Sequence, residues 1–92
     1  MSLIKIYTKK PCGYCDAAKI FCKEKGFDFK EYPLSQYEDE VRKISDDNNG
    51  WRTFPMILVG DKFIGGYTDM LELNESSKLK SLIEEAKESL QN

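Results

Sequence analysis

The sequence predicts an α/β protein: a central four-stranded mixed sheet flanked by helices, in the order β-α-β-α-β-β-α-α. Short β-branched and aromatic runs alternate with segments of helical spacing, which implies crossovers and a partly parallel sheet. A two-residue turn, Gly60-Asp61, separates two apolar runs, which implies an antiparallel hairpin. The chain has 92 residues, 40% of them apolar, enough for one core, so residues 1–92 are expected to form one domain.

Leu3-Ile4-Lys5-Ile6-Tyr7-Thr8 reads as the first strand and Lys9-Lys10-Pro11 breaks it. From Gly13 to Lys25, Ala17, Ile20 and Phe21 recur at helical spacing with Cys15, Ala18 and Cys22 beside them, and Gly26 is the expected terminator. Phe27, Phe29 and Tyr32 with intervening charges predict a second strand. Ser35-Gln36-Tyr37-Glu38 matches a capping box at the start of a helix that carries Tyr37, Val41 and Ile44 on one face and runs to Asp47. Asn48-Asn49-Gly50 is turn chemistry. Phe54 to Val59 reads as a buried strand entered through Pro55, and Lys62-Phe63-Ile64 as its hairpin partner. Gly65-Gly66 is a loop after which Thr68 or Asp69 is expected to cap a short helix. The last helix places Leu79, Leu82, Ile83, Ala86 and Leu90 on one face.

The formal charge is −2, but unevenly spread: residues 1–30 carry +4 and the remainder −6. This balance does not suit general nucleic-acid binding, which wants a strongly basic domain, although the basic part can attract a small anion. The longest apolar run, Met56 to Val59, falls far short of the ~20 residues that span a bilayer. Lys5 interrupts Met1 to Ile6 before a signal-peptide core could form, so a soluble, cytoplasmic protein is the expectation.

Cys12, Cys15 and Cys22 lie within eleven residues, so no disulfide framework can staple distant parts of the fold. What remains is a Cys-x-x-Cys pair and one extra thiol, in keeping with a reducing compartment. A closed zinc site needs about four Cys or His ligands, and the chain has three cysteines and no histidine. Cys22 reads as a small core residue.

A strand running directly into Cys12-Gly13-Tyr14-Cys15 and a helix is the context of a redox motif. Cys12 is expected at the helix N-terminus, where free amides and the dipole favour an anion, with Lys9 and Lys10 close by. These would lower its pKa from ~8.5 into the ~3.5–7.5 range of such settings. Cys15, one turn in, gains less. Cys12 is therefore read as the attacking sulfur and Cys15 as the resolving one. A pKa lower by ~3.5 raises the thiolate fraction about thirtyfold, while a Brønsted slope of ~0.45 costs a similar factor in nucleophilicity. The gain comes when Cys12 leaves a mixed disulfide.

With these residues in place, the chain resembles the dithiol glutaredoxins over residues 3–88. Cys12-Gly13-Tyr14-Cys15 is similar to their Cys-Pro-Tyr-Cys, Thr53-Phe54-Pro55 to their Thr-Val-Pro, and Gly65-Gly66-Tyr67-Thr68-Asp69 to their Gly-Gly-x-Ser/Thr-Asp. The resemblance implies a thioredoxin fold with Pro55 cis and opposite Cys12. It also implies a glutathione groove: Lys9 and Arg52 at the glycyl carboxylate, Phe54 offering its backbone to the cysteinyl unit beside Thr53 and Pro55, Tyr14 lining the thiol, and Gly66, Thr68 and Asp69 at the γ-glutamyl end. From the residues alone, Lys9, Lys10 and Arg52 read equally well as solvated surface charge.

The function so implied is a glutathione-dependent thiol–disulfide oxidoreductase acting on protein–glutathione mixed disulfides and on protein disulfides, such as that of a ribonucleotide reductase. It is expected to work as a monomer. Gly13 in place of proline also resembles glutaredoxins that hold a [2Fe–2S] cluster between two subunits through Cys12 of each, as carrier or sensor. A third reading is a thioredoxin-type reductase served by a flavoenzyme, against which Pro11 and the Gly13-Tyr14 insert stand.

Overall fold

The computed structural model describes residues 3–91, with side chains as far as Ser89. Strand β1 (Ile4–Thr8) leads to helix α1 (Gly13–Lys25), strand β2 (Phe29–Pro33), a 3-10 turn (Leu34–Gln36) and helix α2 (Glu38–Asp47). Strands β3 (Met56–Val59) and β4 (Lys62–Gly65) follow, then helices α3 (Tyr67–Glu75) and α4 (Lys78–Gln91). The four strands form one sheet in the order β2-β1-β3-β4. β2 pairs parallel to β1, Ile4 opposite Phe29, so β1-α1-β2 is the one true crossover. β3 runs antiparallel to β1, Ile4 opposite Val59, and β4 antiparallel to β3. The expected mixed sheet and element order are therefore present.

Period-2 side-chain alternation divides the interior. Ile4, Ile6, Ile57 and Val59 face one layer, where Ala18 and Cys22 of α1, Met70 of α3, and Leu79 and Ile83 of α4 close over them. Tyr7 and Met56 face the other layer, covered by Val41 of α2 with Tyr32, Trp51 and Phe63 around them. β3 lies inside the sheet with helices on both faces, hence its unbroken apolar run. Gly60 turns the hairpin at φ 62, and its N–H donates to Leu3 O at 2.8 Å.

Several local expectations are corrected. Helix α1 buries Cys15, Ala18 and Cys22, whereas Ile20 is 55% exposed. Ile20 falls two residues from Ala18, roughly 200° around the helix at 3.6 residues per turn, so it points away from the sheet. The capping box at Ser35 does not form. Leu34–Gln36 closes a 3-10 turn, with Tyr37 N–H donating to Leu34 O and Pro33 O, and Tyr37 is the N-cap of α2. Without a side-chain cap, α2 starts with Glu38, Asp39 and Glu40 against its positive end. At α3 the N-cap is Gly66, not Thr68 or Asp69; Asp69 sits at N3 and its Oδ2 accepts from Gly66 N–H at 2.8 Å. Gly26 ends α1 as expected, in the left-handed region at φ 72, with its N–H given to Cys22 O and Lys23 O. Leu79 and Ile83 are buried and Leu82 and Ala86 partly so; the expected position of the Leu90 side chain lies outside the described residues.

Candidate functional site

The site is built where β1, the Cys12 loop, the Phe54-Pro55 segment and the start of α3 converge. Thr8, the last residue of β1, is buried, and the chain leaves the sheet through Lys9, Lys10 and Pro11. The Lys10–Pro11 and Phe54–Pro55 peptides are both cis. The resemblance implied the second; nothing in the sequence pointed to the first.

Cys12 occupies the N-cap of α1 with extended backbone, φ −158 and ψ 102. Its Sγ accepts from Cys15 N–H at 3.2 Å, and its carbonyl accepts from Asp16 N–H at 3.3 Å. A cysteine thus fills the position that usually goes to Ser, Thr, Asp or Asn, because each offers an acceptor to the unpaired amides of the first turn. Cys12 and Cys15 are joined as a disulfide, with Cα atoms 5.3 Å apart. Cys15 is 2% exposed and Cys12 half-buried, so only one of the two sulfurs is open to a partner. Gly13 between them is exposed, and a Cβ there would meet nothing within 4 Å, so no neighbour demands glycine.

Phe54 faces this sulfur from the other wall. Its carbonyl oxygen lies 3.7 Å from Cys12 Sγ, and Lys9 Nζ stands 5.4 Å from its ring centroid. Pro55 is fully buried beneath. Trp51, half-buried, fixes the segment by donating its ring N–H to Thr53 O at 3.0 Å and packing edge-on to Phe63 at 5.1 Å. A Cβ on Gly66 would sit 3.5 Å from Pro55 O, so the Gly-Gly turn runs close beside the Thr53-Phe54-Pro55 segment. On the α3 side, Tyr67 stacks on Tyr14 with centroids 6.0 Å apart, bridging the dithiol loop and the Gly66 wall. Tyr14 is 65% exposed and Thr68 is exposed, whereas Asp69 is half-buried by its cap.

A cavity of about 580 Å³, bounded by Lys9, Lys10, Cys12, Cys15, Asp16, Lys19 and Glu31, opens at the dithiol. Lys19 spans two carboxylates there, Glu31 at 3.2 Å and Asp16 at 3.5 Å. The Thr8 hydroxyl donates to Glu31 Oε2 at 2.7 Å, and this bond, with Lys19, holds the Glu31 carboxyl below its ordinary value. Cys22 belongs to the core: it is fully buried, and burial pushes its pKa up to about 11.

The expected site residues Cys12, Cys15, Lys9, Tyr14, Thr53, Phe54, Pro55, Gly66, Thr68 and Asp69 thus lie around one locus. Arg52 is exposed and lines a groove against α2 that shares Phe54 with this locus. Trp51 was not singled out from the sequence, though it is the single tryptophan and directly precedes Arg52-Thr53-Phe54-Pro55. Lys19 could have been found as the residue one turn beyond Cys15 on the same helix face. Among the described residues, no group of three or more His, Cys, Asp or Glu is placed to hold a metal ion, and the iron–sulfur alternative gains no support here.

Comparison with known proteins bears on this geometry. The glutaredoxin family model matches residues 4–64. A probable glutaredoxin of Synechocystis is 34% identical over 80 residues, spanning 87% of this chain and 91% of its own. Glutaredoxin 3 of Escherichia coli is 31% identical, over 90% of this chain and 99% of its own. Among solved structures, the buckwheat glutaredoxin–glutathione complex superposes with a TM-score of 0.79 at 26% identity, covering 92% of this chain and 79% of that one. The Brucella melitensis glutaredoxin does so at 0.71 and 36% identity, covering 90% and 89%.

Proposed function

The chain belongs to the glutaredoxin family and is a thiol–disulfide oxidoreductase of thioredoxin-like fold; on that premise we propose that glutathione is its reductant and that protein–glutathione mixed disulfides are its first substrates. The observation that carries this reading is Cys12 Sγ at the N-cap of α1, half open, accepting from Cys15 N–H, with Phe54 O 3.7 Å away. Free amides at a helix start stabilise a thiolate more than a thiol, so the reduced Cys12 is an anion near neutrality.

In the first step the Cys12 thiolate attacks the glutathione sulfur of the mixed disulfide. The S–S bond breaks, the protein thiolate leaves and takes a proton, and Cys12 now carries glutathione. A second glutathione thiolate attacks that sulfur, glutathione disulfide departs, and the Cys12 thiolate returns. The helix start lowers the barrier to this departure, because it stabilises the leaving anion. With a protein disulfide, such as that of a ribonucleotide reductase, Cys12 attacks one sulfur and Cys15, after losing its proton, attacks Cys12. The products are a protein dithiol and the Cys12–Cys15 disulfide of the present structure. Two glutathiones then restore the dithiol.

Lys9 meets the glycyl carboxylate, and Phe54 pairs its backbone with the cysteinyl unit as a one-residue β-augmentation. Tyr14 flanks the sulfur. Gly66, Thr68 and the α3 amides receive the γ-glutamyl carboxylate, and Asp69 its ammonium. A free buried thiol beside a redox pair suits a reducing compartment such as the cytoplasm. The test is Cys12→Ser against Cys15→Ser in glutathione-coupled deglutathionylation of a small mixed disulfide. Cys12→Ser should be inactive and Cys15→Ser active, with protein-disulfide reduction lost in both. Full activity without Cys12, or none toward the mixed disulfide without Cys15, contradicts this division of roles.

A further inference from the structure

Tyr67 is the first residue of α3 and belongs to both ends of the site. Its amide is one of the unpaired N–H groups at the helix start, between Gly66 and Thr68, where the γ-glutamyl unit is assigned. Its ring leaves that end, packs against the core that α1, α3 and α4 close over the sheet, and stacks on Tyr14 with centroids 6.0 Å and planes 29° apart. Tyr14 lies between the two cysteines of the disulfide. One residue therefore ties the loop that carries Cys12 to the helix that receives the far end of glutathione.

The loop needs such a tie. Gly13 is exposed, and a Cβ there would meet nothing within 4 Å, so neither a side chain nor close packing stiffens the loop at that point. Tyr14 is itself 65% exposed and turns a ring face to Tyr67. Aromatic pairs of this kind hold a preferred geometry beyond what area burial supplies. On the opposite side, a Cβ on Gly66 would sit 3.5 Å from Pro55 O, so the start of α3 is held close to the Thr53-Phe54-Pro55 segment. With Tyr67 in place, the separation between Cys12 Sγ and the α3 amides is set by packed parts rather than by a free loop. A fixed separation gauges the length and branching of whatever spans it.

We propose that Tyr67 is a specificity-determining residue: through its stack on Tyr14 it holds the Cys12 loop at the reach of a γ-linked glutamyl-cysteine, and so selects γ-glutamyl disulfides over their α-linked isomers. The inference rests on the glutathione-dependent reading above and narrows the substrate class of that same site. In the γ linkage the ammonium and carboxylate share a carbon at the far end of the chain, so both reach Asp69 and the α3 amides together. In the α linkage the ammonium moves beside the peptide carbonyl and only a carboxylate reaches the far end. The two tripeptides have the same atoms and the same charge, so the choice between them reads placement alone. The exchange is the same for both: Cys12 attacks the tripeptide sulfur, the bond to the substrate sulfur breaks, and the substrate thiolate leaves and takes a proton.

The experiment uses one peptide with a single cysteine, joined by a disulfide either to glutathione or to its α-glutamyl isomer. Release of the peptide thiol is followed with glutathione as reductant and the uncatalysed rate subtracted. For the native protein, kcat/KM should favour the γ-linked disulfide by about tenfold or more, because misplaced charges forfeit charge-assisted hydrogen bonds. Tyr67→Phe keeps the ring and should keep the ratio. Tyr67→Leu keeps apolar bulk against the core but loses the stack, and should lower the ratio about two- to twelvefold, the worth of one aromatic pair. A merely structural defect slows both substrates alike and leaves the ratio as it was. Tyr14→Leu, at an exposed position, removes the same stack whether or not Tyr67→Leu folds. It should lower the ratio to the same extent, with no further fall in the double variant. A native ratio in Tyr14→Leu or in folded Tyr67→Leu overturns the inference, as does equal kcat/KM for the two disulfides in a native protein that still uses glutathione as reductant. Failure of the native protein to turn over the glutathionylated peptide with glutathione overturns the underlying reading and the inference with it.

Discussion

Asp69 has two separable jobs, and two substitutions tell them apart. Its Oδ2 accepts from Gly66 N–H at 2.8 Å, capping α3, while the carboxylate packs so closely against Gly65 that a Cβ there would overlap it. The same carboxylate, at the γ-glutamyl end of the site, is assigned the ammonium of glutathione. Asp69→Asn keeps an oxygen acceptor for Gly66 N–H and loses the charge. It should lower stability by only ~0.3–1 kcal/mol, the worth of an anion near a helix start. Asp69→Ala also orphans the Gly66 amide, adding about 1 kcal/mol, the usual cost of a lost cap. Both lose a charge-assisted hydrogen bond to the ligand, worth ~1.5–3 kcal/mol, so KM for glutathione should rise about 10- to 100-fold in each. Urea unfolding of the reduced protein gives the first quantity, and steady-state turnover of a small mixed disulfide over a glutathione series gives the second. A native KM in Asp69→Asn would remove Asp69 from the ligand, and equal stability of the two variants would remove it from the cap.

Other outcomes follow from the same contacts. Cys22, pushed up to about 11 and fully buried, should resist alkylation in the folded reduced protein, so mass spectrometry should find it unlabelled in the native state and labelled in denaturant. Glu31 has its pKa lowered by the Thr8 hydroxyl and then Lys19, so its stabilising contribution is present above the ordinary glutamate value of 4.5 and is lost as pH falls through the lower folded value. Glu31→Gln should therefore lose stability near neutrality and show a flatter decline into acid; parallel pH–stability curves would refute that origin. Trp51→Phe removes the bond to Thr53 O while keeping the ring against Phe63, and should raise KM for glutathione about 2- to 10-fold, the worth of one neutral hydrogen bond, with kcat little changed.

The fold was legible wherever one strong period governed a segment. β1 alternates because its two faces meet different layers, and β3 reads as continuous because helices cover both; the hairpin turn at Gly60-Asp61 is local chemistry. Ser35-Gln36-Tyr37-Glu38 misled because a capping pattern is a local offer that the 3-10 turn after Pro33 declines, the chain having already turned before the hydroxyl could cap. Ile20 misled because helical spacing gives a stripe without its direction, and only packing on the sheet settles that Cys15, Ala18 and Cys22 face inward. The dithiol, its N-cap sulfur and the opposing Phe54-Pro55 were visible because each is carried by a short motif. The support around them was not. Trp51 holds Thr53, Thr8 and Lys19 hold Glu31, and Tyr67 stacks on Tyr14, all through contacts made after the chain has folded.

The exchange chemistry requires Cys12 to be a stable anion when reduced. Titrating the reduced protein by thiolate absorbance near 240 nm, with Cys12→Ser as the blank, measures that directly. The difference signal should have its midpoint in the ~3.5–7.5 range of helix-start cysteines, with Cys12 largely ionised at neutral pH. A midpoint at the ordinary ~8.5 would mean that the helix start does not hold the sulfur, and the leaving-group argument would fail with it.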